Sequence, residues 1–143
     1  MAYKYSKKFD KEKMARALGN ALPISTKKSI EICSLIRGKS MENAEKMLKD
    51  VISQQKPISY KRFTDGAGHK PGLGPGKYPV KTAEEILKIL ELAKANATAK
   101  HMDADSLIIC HANAQKAGKR FHYGRVRGKM KICLLYTSPS PRD

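Results

Sequence analysis

Apolar side chains recur at intervals of three and four residues in three stretches of this chain, which is the spacing of one face of an α-helix. The first stretch holds Ile32, Leu35 and Ile36, the second Ala44, Met47, Leu48, Val51 and Ile52, and the third Ala83, Ile86, Leu87, Leu90, Ala93 and Ala97. These patterns predict three helices whose apolar faces pack into a common core.

Polar residues and a glycine mark the ends of the predicted helices. Ser25 suits the N-cap of the first helix, and Gly38 suits its end, because glycine readily adopts the left-handed conformation found there. The third helix begins at Pro79 or at Thr82, and Thr82 with Glu85 matches a capping box. Since the second helix begins at Ser40, we therefore expect a short connection between the first two helices and a defined start for the third.

Three further segments have a weaker pattern. Residues 64–77 hold five of the ten glycines, and this density predicts a loop without regular elements. The run 106–111 is apolar and β-branched, so it predicts a short strand. Residues 14–22 stay open, because their apolar spacing suits a helix whereas Gly19 and Pro23 argue against a long one.

The charge of the chain points to a polyanionic partner. Lys and Arg number 29 against 13 Asp and Glu, for a formal net charge of +16, and self-repulsion of this size destabilises a free-standing protein. Residues 56–81 carry six cations and one acid, and residues 116–131 carry seven cations and none. A membrane surface is excluded as the partner, because no basic amphipathic helix accompanies the charge. Nucleic acid is favoured.

The sequence gives little support to an enzyme or a metalloprotein. Three cysteines that lie far apart predict a reducing, cytoplasmic setting rather than a disulfide framework. No closely spaced Cys or His pair suggests a metal site. Gly76 and Lys77 resemble the end of a phosphate-binding loop, but Pro71 and Tyr78 stand where that motif requires glycine and serine or threonine. We expect no catalysis, no cofactor and no metal.

Two segments suit contact with RNA better than their alternatives, a mobile surface loop and a generic basic tail. Glycine-rich backbone lets cations in and near 64–77 approach RNA closely. Residues 116–131 interleave cations with rings that stack on unpaired bases. The residues predicted to contact RNA are Arg62, His69, Lys70, Lys77, Lys119, Arg120, His122, Tyr123, Arg125, Arg127, Lys129 and Lys131.

The order of several short segments resembles the universal large-subunit ribosomal protein family L twenty-two. Pro23-Ile-Ser25 precedes a basic helix that ends in Ile36-Arg-Gly-Lys39, and Asn43-Ala-Glu opens the next helix. The segment from Phe63 to Pro79 is similar to an insertion found in the archaeal and eukaryotic branch. The resemblance covers about residues 1–132.

The resemblance implies an α+β fold, with a three-stranded antiparallel sheet packed by helices and a long β-hairpin arm. It places the first strand at 13–22 and the basic hairpin arm at 112–132, within a single ribosomal protein domain over 1–132. It also implies a cytoplasmic protein of the large ribosomal subunit that binds ribosomal RNA, aids assembly and lines the nascent-peptide exit tunnel. Its partners would be large-subunit ribosomal RNA, neighbouring large-subunit ribosomal proteins and the nascent peptide. A free-standing basic nucleic-acid-binding protein is the alternative.

Residues 133–143 depart from the pattern of that family. Pro139 and Pro141 cannot continue a central strand, because proline lacks the N–H that a ladder needs. We expect 133–143 to be a non-native tail, so that the last strand of the sheet is lost or replaced. Residues 133–136 are the piece of the tail that suits pairing as a partial substitute.

The charge of the arm predicts the salt dependence of RNA binding. If the seven cations of residues 116–131 each meet a phosphate, the logarithm of the binding constant should fall against that of the salt concentration. The expected slope is roughly −5 to −6. A titration of an arm peptide with ribosomal RNA measures it, and a slope near zero would contradict the electrostatic interpretation.

Overall fold

The computed structural model describes residue 10, residues 13–103 and 106–116, and the backbone of residues 120–126 and 129–135. Its helices are α1 (Thr26–Ile36), α2 (Met41–Ile52) and α3 (Val80–Thr98). The strands β1 (Ile58–Ser59), β2 (His69–Lys70) and β3 (Gly74–Lys77) lie between α2 and α3 in the chain. Two longer strands follow α3, namely β4 (Arg120–Val126) and β5 (Lys129–Leu135).

The apolar faces of the helices form the core, as the periodicity predicts. The largest side chains that are almost completely buried come from α1, α2 and β1: Ile32, Ile36, Leu48 and Ile58. Ala83, Ile86 and Leu90 of α3 pack against the same cluster. The short strand β1 therefore shares one core with the helices, which places the small sheet against the helical layer.

The helix ends agree with the sequence in backbone but less well in side-chain capping. Gly38 has a φ of 78°, the left-handed conformation predicted after α1. Ser25 occupies the N-cap of α1, although its side chain makes no capping hydrogen bond. The capping box predicted for α3 is wrong, because the helix begins at Val80 and Thr82 is buried within its first turn. Pro79, the other predicted start, is the N-cap residue.

The prediction of a loop without regular elements at 64–77 is wrong. This segment contains β2 and β3, and a three-stranded antiparallel sheet forms in the order β1-β3-β2. Gly72 and Gly74 have φ values of 72° and 78°, which permit the tight turn between the strands. The glycine-rich segment is therefore a compact hairpin, because β2 and β3 are short and pair through only a few backbone positions.

The fold class is confirmed as helices with a three-stranded antiparallel sheet, but the strand expected at 13–22 is not part of it. Residues 13–22 form no strand and contact α3 instead. Asn96 Nδ2 donates to the carbonyl of Arg16 (2.9 Å), and a Cβ at Gly19 would lie 2.5 Å from Ile89 Cδ1. The segment is thus held by side-chain contacts from a helix, which its own sequence does not reveal.

The strand predicted at 106–111 is reduced to an isolated bridge between Ser40 and Ile108. Three backbone hydrogen bonds surround this bridge: Gly38 N–H to Ile109 O at 2.8 Å, Ile109 N–H to Lys39 O at 2.9 Å, and Met41 N–H to Leu107 O at 2.9 Å. The extended segment therefore pairs with the connection between α1 and α2 rather than with a neighbouring long strand.

The backbones of β4 and β5 pair antiparallel along their full length, from Arg120 opposite Leu135 to Val126 opposite Lys129. They make a two-stranded sheet separate from β1-β3-β2. Cys133, at the start of the expected tail, continues β5 opposite His122. That this pair projects as an arm, and that residues 133–143 are non-native, stay predictions.

The core predicts a large difference between two leucine substitutions. Leu48 is fully buried, whereas Leu92 on α3 is 48% exposed. Leu48→Ala should lower the free energy of unfolding by about 2–5 kcal/mol, because it leaves a cavity in the core. Leu92→Ala, the matched control, should change it by no more than about 0.5 kcal/mol. Urea unfolding of the whole chain measures both, and equal losses would contradict the assignment of the core.

Candidate RNA-contacting surface

A buried glutamate organises the chain just after β1. The carboxylate of Glu31 on α1 is 4% exposed and accepts hydrogen bonds from three successive backbone N–H groups. The donors are Lys61 at 3.2 Å, Arg62 at 2.8 Å and Phe63 at 2.8 Å. A buried carboxylate is costly unless hydrogen bonds replace its water, and these three donors do so. They fix residues 61–63, which we call the Glu31 turn, against α1.

Cations lie over the ring at the end of this turn. The Arg62 guanidinium is 5.4 Å from the centroid of the Phe63 ring, and Lys27 Nζ of α1 is 5.9 Å from it. Both distances are within the range of cation–π attraction. The pairs hold two exposed charges beside a half-buried ring, so cation and aromatic surface are presented together.

The small sheet carries two more pairs of this kind. Lys70 Nζ lies 5.4 Å from the centre of the Tyr78 ring, and Lys77 Nζ lies 6.0 Å from that of Tyr60. Lys70 pairs with Gly74, whereas His69 pairs with Pro75. Since partners share a face and alternate residues change face, Lys70 lies on one face of the sheet, and His69 and Lys77 lie on the other.

The phenol of Tyr60 is buried between the Glu31 turn and the small sheet. Tyr60 is 4% exposed, and within the described part of the chain its hydroxyl has no hydrogen-bond partner. Burial, and secondarily the negative charge of Glu31, raise the pKa of Tyr60 to about 12. The backbone of the same residue joins the sheet, because its N–H donates to Pro75 O at 2.9 Å. Tyr60 thus ties the Glu31 turn to β3.

The segment that leads to β4 is tied to the end of α1. Arg37 Nη2 donates to the carbonyl of Ala112 at 2.7 Å. Burial raises the pKa of the Cys33 thiol on the preceding turn, and the positive charge of Arg37 opposes this effect. The hydrogen bond from Arg37 therefore attaches the segment before β4 to the end of α1.

The structure brings some of the predicted contact residues together and separates others. Arg62 lies on the Glu31 turn, and His69, Lys70 and Lys77 lie on β2 and β3. The backbones of the second, two-stranded sheet contain Arg120, His122, Tyr123 and Arg125 in β4, and Lys129 and Lys131 in β5. Lys119 and Arg127 lie outside the described residues. None of these positions has been tested as an RNA contact, so all twelve stay predictions.

Sequence reasoning missed several residues of this surface. Lys27, Lys61 and Phe63 were not selected, although all three lie at the Glu31 turn. Glu31 was also missed, because the spacing of apolar residues does not predict the burial of an acid. The sign that marks it is its position four residues before Leu35, beside the apolar face of α1.

Ion pairs in the described region involve other lysines. Lys56 pairs with Asp50 at 3.3 Å, and Lys88 pairs with Glu85 at 2.8 Å, which raises the pKa of Lys88.

Among the described residues, no group of three His, Cys, Asp or Glu side chains is placed to hold a metal ion. Nor is any described helix long and apolar enough to cross a membrane.

Known proteins match this chain over most of its length. The sequence model of one family, described as "Ribosomal protein L22p/L17e", matches residues 17–139. The large ribosomal subunit protein uL22 of Archaeoglobus fulgidus is 44% identical over 110 residues, which are 75% of this chain and 71% of that protein. The uL22 proteins of Methanocaldococcus jannaschii and Methanococcoides burtonii are 44% and 37% identical, over 79% and 88% of this chain and 74% and 83% of their own lengths.

The buried phenol predicts a loss of stability at high pH. Because the pKa of Tyr60 is raised from 10.0 to about 12, the unfolded chain releases this proton first as the pH rises. The contribution of Tyr60 is complete below pH 10 and is lost between about pH 10 and pH 12, by on the order of 2 kcal/mol. Urea unfolding of the wild type and of Tyr60→Phe at several pH values isolates the contribution of Tyr60, because the other groups titrate in both proteins. Parallel stability curves would contradict the burial of this phenol.

Proposed function

The chain belongs to the L22p/L17e family of ribosomal proteins, and from this we propose that it is a structural constituent of the large ribosomal subunit that binds ribosomal RNA. We propose further that it aids subunit assembly and that residues 112–132 line the nascent-peptide exit tunnel. Neighbouring large-subunit proteins and the nascent peptide are then its other partners.

The match of the family model to residues 17–139 carries this proposal. It includes both the small sheet and the β4–β5 pair, which lie in the two most basic parts of the chain. Curated relatives named large ribosomal subunit protein uL22 cover the chain at up to 44% identity. Membership of this family confirms that the chain is not an enzyme, and it confirms the cytoplasmic location.

The charge and the geometry support RNA as the direct partner. A net charge of +16 needs a polyanion to offset its self-repulsion. Cations held over the partly exposed rings of Phe63 and Tyr78 present charge together with planar surface. Phosphates and unpaired bases are the ligands that such a surface suits.

A free-standing nucleic-acid-binding protein is the alternative function. A protein of that kind would have the same basic charge, but it would bind generic duplexes tightly and would not associate with ribosomal particles. The family membership favours the ribosomal role, and sedimentation separates the two.

Gradient fractionation of a cell lysate tests the proposed function. A tagged whole chain should sediment with the large subunit and leave it only at high salt, because phosphate contacts weaken as salt rises. Arg120→Ala combined with Arg125→Ala should lower the salt concentration needed for release, since it removes two cations of β4.

Lys46→Ala combined with Lys49→Ala on α2 is the matched control for charge, because both lysines are exposed and outside the predicted contact set. This control should be released at the salt concentration of the wild type. A wild-type chain that stays at the top of the gradient, at low salt and in the presence of intact subunits, would refute the ribosomal assignment.

A further inference from the structure

The Glu31 turn combines a buried anion with exposed cations. Glu31 is one of only 13 acids in the chain, and its carboxylate is buried against the Glu31 turn. The side chains of Lys61 and Arg62, in the same turn, are basic and exposed. The three N–H donors from 61–63 converge on its two oxygens, at 2.8–3.2 Å. The acid therefore faces the backbone of the turn, while the cations face solvent.

Helix α1 supplies a third cation, Lys27, on the same side of the helix as Glu31. Lys27 lies four residues before Glu31, which places both on the same side of the helix. Glu31 holds the backbone of the turn, and Lys27 reaches the ring of Phe63 from the same helix face. The spacing of Lys27, Lys61 and Arg62 is thus set by one helix and three hydrogen bonds.

This arrangement suits the sugar-phosphate backbone of RNA. Cations held in place before binding lose less conformational freedom on binding than those on a loose loop. The three N–H dipoles aimed at the carboxylate also offset part of the negative charge of Glu31, which would otherwise repel an approaching phosphate. A contact of this kind positions RNA without reading its bases.

We infer that Glu31 is a positioning residue for RNA, whose carboxylate holds the 61–63 turn so that Lys27 and Arg62 form one preset phosphate contact around Phe63, with Lys61 beside them on the same turn. The inference rests on the proposed RNA-binding function and adds a contact and its support to it. Glu31 itself does not touch the RNA.

A double-mutant cycle on the whole chain tests the inference, with Glu31→Gln, Arg62→Ala and their combination. The measurement is binding to transcribed large-subunit ribosomal RNA over a series of salt concentrations. Arg62→Ala should weaken binding and reduce the magnitude of the salt slope by about 1, as expected for a lost phosphate contact. Glu31→Gln should do the same although it removes no cation, because it releases the turn.

The combination decides between positioning and simple stabilisation. If Glu31 acts through the turn, adding Arg62→Ala to Glu31→Gln should cost less affinity than it costs in the wild type. Strict additivity, with the salt slope of Glu31→Gln unchanged, would overturn the inference even if this variant is less stable to urea. Glu91→Gln, at an exposed position of α3, is the charge-matched control and should bind as the wild type does.

A second variant keeps the test decisive if Glu31→Gln does not fold. Glu31→Asp keeps the charge but is shorter by one methylene, so it cannot hold all three N–H groups at their present distances. The same cycle with Arg62→Ala then applies, with the same two outcomes. Failure of the wild type itself to bind ribosomal RNA would refute the proposed function, whereas normal binding by the Glu31 variants refutes only the role of Glu31.

Discussion

The hydrogen bonds between Glu31 and the backbone of residues 61–63 are the constraint on which the basic surface depends. They join α1 to the chain that leaves β1, and they act at a point where the core ends and the sheet begins. Without them, three donors and a carboxylate would lose their water at a buried site with no replacement. Tyr60, next to the turn, has its phenol buried and its backbone bonded to β3, so the same contact also orients the sheet.

Several cations of the Glu31 turn and the small sheet contact aromatic rings, whereas the ion pairs described above lie elsewhere. Lys70, Lys77 and Arg62 lie over rings, which hold a cation without neutralising it. The ion pairs of Lys56 and Lys88 lie at the end of α2 and on α3, outside the small sheet. Positive charge is therefore retained where a polyanion can contact it, which fits the RNA-binding role proposed for this ribosomal protein.

The segments that flank the helices are secured by contacts of long sequence separation. Residues 13–22 are held to α3 by Asn96, and Ala112 is held by Arg37. The extended chain at 107–109 pairs with the connection between α1 and α2. Each of these segments gains its position from a helix or from the connection between two helices, whose own backbone hydrogen bonds are local.

The sequence by itself determined the helices, the αL end of α1 at Gly38, the family and the basic character of the candidate site. It did so because helical periodicity, glycine conformation and charge are local properties. Only the tertiary structure decided that residues 64–77 form a hairpin, that 13–22 is no strand, and that Lys70 and Lys77 lie on opposite faces. It alone also showed that the acid Glu31 holds a basic turn. The role of Glu31 and the position of 13–22 depend on contacts such as Glu31 with Arg62 and Arg16 with Asn96, between residues far apart in the chain, which no local pattern records. The hairpin and its faces depend on the register of β3 with β2 and β1, which glycine density does not specify.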